Sequence, residues 1–164
     1  MKSPSPGESG QRREFLGDPA ATERAGARLA RGLRGGMIVT LSGELGAGKT
    51  TMVRGALRGL GWTGPVKSPS YVLVEHYRIS SLYFYHFDFY RFNNAQEWES
   101  TGFAEYFRPD AICVIEWPER VAVLLPRADI AVRLDVCEGG RELSLGAATR
   151  AGNACLATFS ATMP

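Results

Sequence analysis

The feature that most limits how this chain can fold is the string GELGAGKT at residues 43–50. It matches the pattern GxxxxGK[ST] at every fixed position, and it lies between a β-rich run at 37–41 and a helical repeat of apolar residues at 52–60. Glycines let successive backbone N–H groups approach phosphate oxygens, and the start of the following helix adds positive potential. The pattern therefore predicts a phosphate-binding loop between a strand and a helix.

Two side chains of this loop have predicted roles of their own. Lys49 supplies a mobile ammonium group to the β- and γ-phosphates, and the hydroxyl of Thr50 is suited to ligate Mg²⁺. A GxGxxG dinucleotide fingerprint starting at Gly46 needs glycine at the position of Thr51, so the Rossmann interpretation fails. Because the chain has neither an NKxD nor a DxxG string, ATP is expected rather than GTP.

Turn-forming and apolar residues predict the elements around the loop. A helix is expected to begin at Asp18, an N-cap residue followed by proline, and to end at the Gly-Gly pair at 35–36. Residues 71–79 and 82–90 are rich in β-branched and aromatic side chains, and only two serines separate them. These two runs predict an antiparallel hairpin.

The second half of the chain completes an α/β pattern. Residues 111–117, AICVIEW, form a continuous apolar run that ends beside an acid, which is typical of a buried central strand whose end reaches a site. A short helix is expected near Asn94, and further strands at 128–136 and 141–145. Together the elements predict an α/β, P-loop NTPase-like three-layer fold with a mainly parallel central sheet and an antiparallel hairpin insert.

Length and composition fit one domain with less regular ends. Residues 1–12 predict a disordered N-terminal tail, 13–150 the P-loop domain, and 151–164 a C-terminal tail without a clear element. With 19 Lys and Arg against 17 Asp and Glu, the net charge of +2 indicates no nucleic-acid partner. No apolar run approaches the ~20 residues that cross a bilayer, and three scattered cysteines indicate neither disulfides nor zinc. The expected compartment is the cytoplasm.

Two acids outside the loop are candidates for the rest of a magnesium site. Glu116, at the end of the predicted central strand, is the first candidate, and a rim carboxylate without a ligand is the alternative. Asp88 lies in an aromatic strand and must be solvated, paired or near a metal, because burying it unpaired is costly. A structural pair with Arg91 is the simpler explanation for Asp88. Orientation of the attacking water, or of a Mg²⁺-bound water, is the functional explanation.

Three further side chains near these acids have more than one interpretation. Ser70 lies in a loop where nucleotide switches place a hydroxyl that senses the γ-phosphate, and an ordinary proline turn is the alternative. Trp117 is expected either to pack on the nucleotide or a partner, or simply to belong to the core. His86 is expected to be a hydrogen-bonded scaffold residue rather than a base.

The chain resembles the TsaE (YjeE) family of small bacterial P-loop ATPases in four strings that keep their order and spacing. These strings are LSGELGAGKTT (41–51), VKSPSYVLVE (66–75), YHFDFYRF (85–92) and AICVIEWPE (111–119). The resemblance covers about residues 13–145. Where the family usually has SPT[FY], this chain has SPSY, so Ser70 keeps the hydroxyl and lacks the methyl group.

The resemblance implies an ATPase that works with the TsaB and TsaD proteins in the threonylcarbamoyl modification of adenosine next to the anticodon of tRNA. In that family the carbamoyl transfer belongs to TsaD, and ATP hydrolysis by the TsaE protein resets the complex between turnovers. Contact with tRNA is then indirect, through the complex. The implied cofactors are ATP and Mg²⁺.

Carried over by position, the resemblance also assigns roles to individual residues. Lys49 binds phosphates, Thr50 and Glu116 hold Mg²⁺, and Asp88 and Ser70 serve hydrolysis or switching, with Asp88 a further candidate metal ligand. Trp117 matters beside Glu116, and the nucleotide base rests near Asp18 and near the turn at Gly140 and Arg141. The full set expected at the site is Asp18, Gly43, Glu44, Leu45, Gly46, Ala47, Gly48, Lys49, Thr50, Thr51, Ser70, Asp88, Glu116, Trp117, Gly140 and Arg141.

Two other functions stay open on the sequence alone. A small-molecule kinase would pass the γ-phosphate to a hydroxyl, but such enzymes usually carry an Arg-rich lid, which no segment here resembles. A module whose nucleotide merely orders an interaction surface would hydrolyse nothing. No arginine finger is evident, Arg91 and Arg141 being the candidates, so weak activity in isolation and faster turnover with a partner are expected.

Overall fold

A seven-stranded sheet runs through the centre of the computed structural model, which describes residues 10–93 and 95–161. Its strands are β1 (Gln11–Leu16), β2 (Ile38–Ser42), β3 (Val74–Ile79), β4 (Leu82–Asp88), β5 (Ala111–Glu116), β6 (Ile130–Cys137) and β7 (Gly140–Ala147), in the order β1-β7-β6-β2-β5-β4-β3. The pairs β6–β2, β2–β5 and β5–β4 are parallel, and the outer pairs are antiparallel. The predicted mainly parallel sheet and the hairpin of β3 and β4 are confirmed.

Helices cover both faces of this sheet. They are α1 (Pro19–Ala30), α2 (Lys49–Leu60), α3 (Ala95–Thr101) and α4 (Arg150–Ala161), with 3-10 turns at Phe103–Tyr106 and Pro118–Arg120. One apolar cluster joins the sheet to α1, α2 and α4, and a second joins it to α3 and the 3-10 turn at Phe103–Tyr106. Along β5, Ile112 and Val114 belong to the first cluster, whereas Cys113 and Ile115 belong to the second. This alternation explains the unbroken apolar run and confirms the three-layer fold.

The parallel pairing also fixes where polar groups meet. Leu41 of β2 is opposite Glu116 of β5, and Asp88 of β4 is opposite the same Glu116. The carboxyl ends of β2, β4 and β5 therefore share one edge of the sheet, and the loop that follows β2 begins there. In open parallel sheets this edge is where ligands bind.

The start of α1 follows its sequence signal, but its end does not. Asp18 accepts a hydrogen bond from the backbone N–H of Ala21 at 2.7 Å, as expected for an N-cap residue. The helix ends at Ala30 rather than at the Gly-Gly pair at 35–36, so that expectation was wrong. After Ala30 the backbone turns tightly, and a Cβ on Gly32 would lie 2.7 Å from the Cα of Cys155 in α4, so α4 restricts the path of the chain.

Both ends of the described chain are more regular than the sequence suggests. The strand β1 begins at Gln11, inside the segment predicted as a tail at 1–12, because it pairs with β7 along its whole length. Residues 150–161 form α4, where the sequence predicts no element, and its buried side chains include Leu156 and Phe159. Residues 1–9 and 162–164 and the expected helix start at Asn94 lie outside the described residues.

Helices α1 and α2 approach each other at two glycines. A Cβ added to Gly26 would lie 2.1 Å from the carbonyl oxygen of Met52, and one added to Gly55 would lie 1.9 Å from that of Glu23. Real Cβ atoms never approach backbone so closely, so the two helix backbones are in direct contact. This contact holds the first turn of α2 against the start of α1.

We expect Gly55→Ala to lower the free energy of unfolding by about 1–3 kcal/mol, because the added methyl group forces the two helices apart. The result is informative because alanine in an open helix position would instead stabilise the helix by up to ~1 kcal/mol. Urea unfolding measures the change. Gly146→Ala is the control, since a Cβ there meets no atom within 4 Å. Equal stability of the two variants would contradict the close contact.

Candidate nucleotide-binding site

The loop between β2 and α2 has a backbone that favours glycine. Gly46 and Gly48 have φ of 81° and 103°, in the left-handed region that other residues rarely adopt. Gly48 is also the N-cap residue of α2, and no side chain caps the first N–H groups of that helix. The first turn of α2 therefore presents uncapped backbone donors to a ligand at the loop, with the positive end of the helix dipole behind them.

Lys49 joins the loop to the end of β5. Its Nζ donates to the carbonyl oxygens of Gly43 and, at 3.3 Å, Glu44, and it lies 3.9 Å from Oε1 of Glu116. The ring of Trp117 is on another side, with its centroid 4.8 Å from Nζ. Since the Lys49 side chain is only 7% exposed, its charge is balanced by these neighbours rather than by bulk water.

Glu116 is buried against a histidine. Its Oε2 accepts a hydrogen bond from Nε2 of His86 at 2.6 Å, and the two side chains are 4% and 0% exposed. The register of β4 and β5 explains the contact, because Asp88 is opposite Glu116 and His86 lies two residues earlier on the same face. A carboxylate is thus held at the edge of the sheet beside the loop lysine.

Asp88 is also buried at this edge, and it is not paired with Arg91. Its Oδ1 accepts a hydrogen bond from the backbone N–H of Tyr90 at 2.9 Å. The guanidinium of Arg91 lies instead over the ring of Tyr71, 4.9 Å from its centroid, so the structural pair considered for Asp88 does not form. Burial raises the pKa of Asp88, the Tyr90 N–H lowers it, and the charge of Glu116 raises it further.

The segment between α2 and β3 brings two hydroxyls to the same place. The Oγ atoms of Ser68 and Ser70 are 2.7 Å apart. The buried hydroxyl of Tyr77 accepts from the N–H of Lys67 at 3.1 Å and donates to its carbonyl oxygen at 3.3 Å, so the segment is attached to β3. Burial raises the pKa of Tyr77, which keeps its hydroxyl a donor.

Two adjoining cavities lie along the loop. The first, of about 330 Å³, lies between the start of α1 and the β6–β7 turn, and it is lined by Leu16, Gly17, Asp18, Pro19, Thr22, Gly46, Ala47, Gly48, Thr51, Gly139, Gly140 and Arg141. The second, of about 290 Å³, is lined by Leu45, Gly46, Gly48, Lys49, Thr50, Thr51, Ser68, Ser70, Asp88, Glu116 and Trp117. Because Gly46, Gly48 and Thr51 line both cavities, one elongated ligand can reach from the first into the second.

Arg141 lines the first cavity and is hydrogen-bonded to the loop. Its Nε donates to the carbonyl oxygen of Ala47 at 3.0 Å, and its Nη2 donates to that of Gly46 at 3.2 Å. Thr22 lines the same cavity, and its hydroxyl lies 3.5 Å from the carbonyl oxygen of Asp18. The guanidinium of Arg141 is therefore engaged by carbonyl groups of the loop.

The structure brings nearly all the expected site residues to these cavities. Gly43 and Glu44 are the exceptions, because they contribute carbonyl oxygens to Lys49 and line neither cavity. Sequence reasoning missed Thr22, although its position one helical turn after Asp18 could have indicated it. It expected His86 to be hydrogen-bonded but did not identify Glu116 as its partner.

Within 10–93 and 95–161, no three or more His, Cys, Asp or Glu side chains are grouped so that they could hold a metal ion. In the same part of the chain, none of the helices has the length and apolar character needed to cross a membrane.

The three-layer fold, with the glycine loop at the carboxyl edge of its sheet, defines a P-loop NTPase-like α/β protein. A family model described as "Threonylcarbamoyl adenosine biosynthesis protein TsaE" matches residues 16–143. That match covers more than half of the chain, so this chain belongs to the TsaE family.

Individual relatives agree with this assignment. A tRNA threonylcarbamoyladenosine biosynthesis protein TsaE from Haemophilus influenzae is 47% identical over 124 residues, which cover 76% of this chain and 78% of the relative. The protein of the same name from Synechocystis is 42% identical over 118 residues, covering 67% and 72%. The crystal structure of YdiB from Bacillus subtilis has a TM-score of 0.79 at 27% identity, covering 92% of this chain and 95% of that one. The fold of this chain is therefore that of a solved structure.

We expect Asp88→Asn to raise the melting temperature of the ligand-free protein near neutral pH. Because the folded-state pKa of Asp88 is raised, the folded protein holds more protons than the unfolded chain between the two pKa values, and its stability falls as the pH rises. Asparagine removes this loss and can still accept from the N–H of Tyr90. The advantage of the variant should shrink as the pH falls through about 4 and vanish below it, where the aspartate is protonated in the unfolded chain as well.

Thermal unfolding across that pH range, without nucleotide or metal, measures the difference. Glu138→Gln, at an exposed position of the β6–β7 turn, is the control and should show no such pH trend. If wild type were the more stable protein at neutral pH, the burial argument for Asp88 would be wrong.

Proposed function

We propose that this chain binds ATP at loop 43–50, hydrolyses it in the presence of Mg²⁺, and supports the formation of threonylcarbamoyladenosine in tRNA together with TsaB and TsaD. The observation that carries the proposal is the meeting of uncapped α2 donors, the Lys49 ammonium and the carboxylates of Asp88 and Glu116 at one sheet edge. The names of the relatives support the tRNA pathway. Because ATP and tRNA are both cytoplasmic, the cytoplasm is the proposed compartment.

The residues of the second cavity suit a magnesium nucleotide. Thr50, Asp88 and Glu116 offer the hard oxygen atoms that Mg²⁺ prefers, and a bound triphosphate would add the rest. When bound, Mg²⁺ neutralises charge on the phosphate oxygens. The first cavity, with its glycines and the N-cap Asp18, is the proposed place for the adenine and ribose.

The protein's own groups act mainly by position and charge. Backbone donors of the loop bind the phosphates, and Lys49 can exchange the carbonyl oxygens of Gly43 and Glu44 for phosphate oxygens without moving far. Asp88 and Ser70 are proposed to orient the attacking water, since both line the same cavity. The partly buried ring of Trp117 lies beside Nζ and limits the access of bulk water to Lys49.

The described residues offer this cavity no arginine. Arg141 is engaged by the carbonyl oxygens of Gly46 and Ala47, Arg91 lies over Tyr71, and neither lines the second cavity. Arginine fingers contribute strongly to phosphoryl transfer in related enzymes. We therefore propose that hydrolysis is slow in isolation and faster in the complex with TsaB and TsaD, through which contact with tRNA is indirect.

Calorimetry with Mg²⁺–ATP should detect binding to the wild-type protein, and Lys49→Ala should weaken it at least ~10-fold because the only ammonium group of the cavity is lost. Release of inorganic phosphate should fall in the same variant. Arg133→Ala, in β6 and outside both cavities, is the control and should bind normally. Absence of heat with folded wild-type protein would overturn the proposal.

The same assay separates hydrolysis from the two other functions. Free phosphate as the product, with a faster rate when TsaB and TsaD are added, supports the proposed ATPase. Transfer of labelled phosphate to a small molecule from a metabolite extract would indicate a kinase instead. Nucleotide binding without any release of phosphate, with or without partners, would indicate a binding module.

A further inference from the structure

We infer that His86 is a positioning residue that holds one oxygen of Glu116 so that the other faces Lys49 and the second cavity. The inference rests on the proposed function and concerns how its magnesium site is kept intact. The contact joins two ionisable side chains that are almost wholly buried on the neighbouring strands β4 and β5, at 0% and 4% exposure.

The geometry gives the histidine one partner. Nε2 of His86 lies 2.6 Å from Oε2 of Glu116, whereas Nδ1 is buried and has no hydrogen-bond partner among the described residues. A carboxylate only accepts hydrogen bonds, so the ring hydrogen is on Nε2. A ring with its hydrogen on Nδ1 would place two acceptors in contact and leave a buried donor unpaired, which is costly. The tautomer of His86 is therefore set by Glu116 alone.

The second oxygen of Glu116 has a different surrounding. Oε1 lies 3.9 Å from Nζ of Lys49, which is longer than a hydrogen bond, and Glu116 lines the second cavity. Thus one oxygen is held by His86, and the other stays available at the edge of the cavity. This division suits a residue that must offer an oxygen to a cation.

Without the histidine donor, this arrangement would not persist. Oε2 would be a buried charged atom without a hydrogen bond, and the nearest cation is Lys49. Attraction in a poorly solvated site would draw the carboxylate onto Nζ and form a closed ion pair. Glu116 would then be withdrawn from the metal, whereas Lys49 would keep hydrogens for the phosphates, since an ammonium group has three donors. By occupying Oε2, His86 keeps the two charged groups close but separate.

A purely structural role predicts a different outcome. If His86 only filled space under the sheet, an apolar side chain of similar size would preserve the site as long as the protein folded. If it positions Glu116, the loss is specific to the metal and is restored by another donor at the same place. The amide nitrogen of glutamine reaches about as far as Nε2, and that of asparagine only as far as Nδ1.

The test measures how much Mg²⁺ strengthens binding of a non-hydrolysable ATP analogue, as the ratio of Kd values in EDTA and in Mg²⁺ by calorimetry. We expect His86→Leu to reduce this ratio at least ~10-fold while leaving the Kd in EDTA within about threefold of wild type. His86→Gln should retain the ratio within about threefold. His76→Leu is the control and should match wild type, because His76, the chain's other histidine, is exposed.

Circular dichroism and thermal unfolding confirm that each variant is folded. If His86→Leu fails to fold, the comparison of His86→Gln with His86→Asn replaces it, and the inference requires that only the glutamine variant keep the magnesium effect. An unchanged ratio in folded His86→Leu, or equal ratios in the two amide variants, would overturn the inference while leaving the proposed function intact. Wild-type protein that binds no analogue would overturn both.

Discussion

Parallel pairing of β5 with both β2 and β4 is the constraint on which the rest of the site depends. The three strands end at the same level of the sheet. Glu116, Asp88 and the start of the glycine loop therefore lie at one edge, although they are far apart in the sequence. A strand buried on both faces must be apolar along its length, and its first polar residue then appears where it leaves the core. In β5 that residue is Glu116, which explains how a buried acid is placed beside Lys49.

The charges gathered at this edge are arranged to compensate one another. Lys49 has carbonyl oxygens and a carboxylate around it, Glu116 has a histidine, and Asp88 has a backbone N–H. Each of these three ionisable groups therefore has at least one polar partner within the protein, but the carboxylates keep oxygen lone pairs without a hydrogen bond. The raised pKa of Asp88 reflects this incomplete compensation.

The sequence predicted the parts of the fold that local chemistry determines. The glycine loop, the Asp18 N-cap and the β3–β4 hairpin each depend on residues close together in the chain. The strand β1 and the helix α4 could not be predicted in the same way, because their stability comes from distant partners. Arg28 shows why: its guanidinium binds Glu14 of β1 at 2.7 Å and lies over Phe159 of α4, and no local pattern links these three positions.

The candidate site likewise has a part that local sequence predicts and a part that depends on distant contacts. Residue types suitable for phosphate and magnesium could be identified because their motifs are contiguous, whereas the partner of His86 and the engagement of Arg141 by loop carbonyls depend on strand register and on the β6–β7 turn. The close approach of α1 and α2 at Gly26 and Gly55 has a mechanical consequence for both cavities. Because no side chains separate the two helix backbones there, we expect α1 and the start of α2 to move as one rigid body. The β6–β7 turn and the segment that carries Ser68 and Ser70 lie outside this contact, so we expect any adjustment of the cavities around a ligand to occur there.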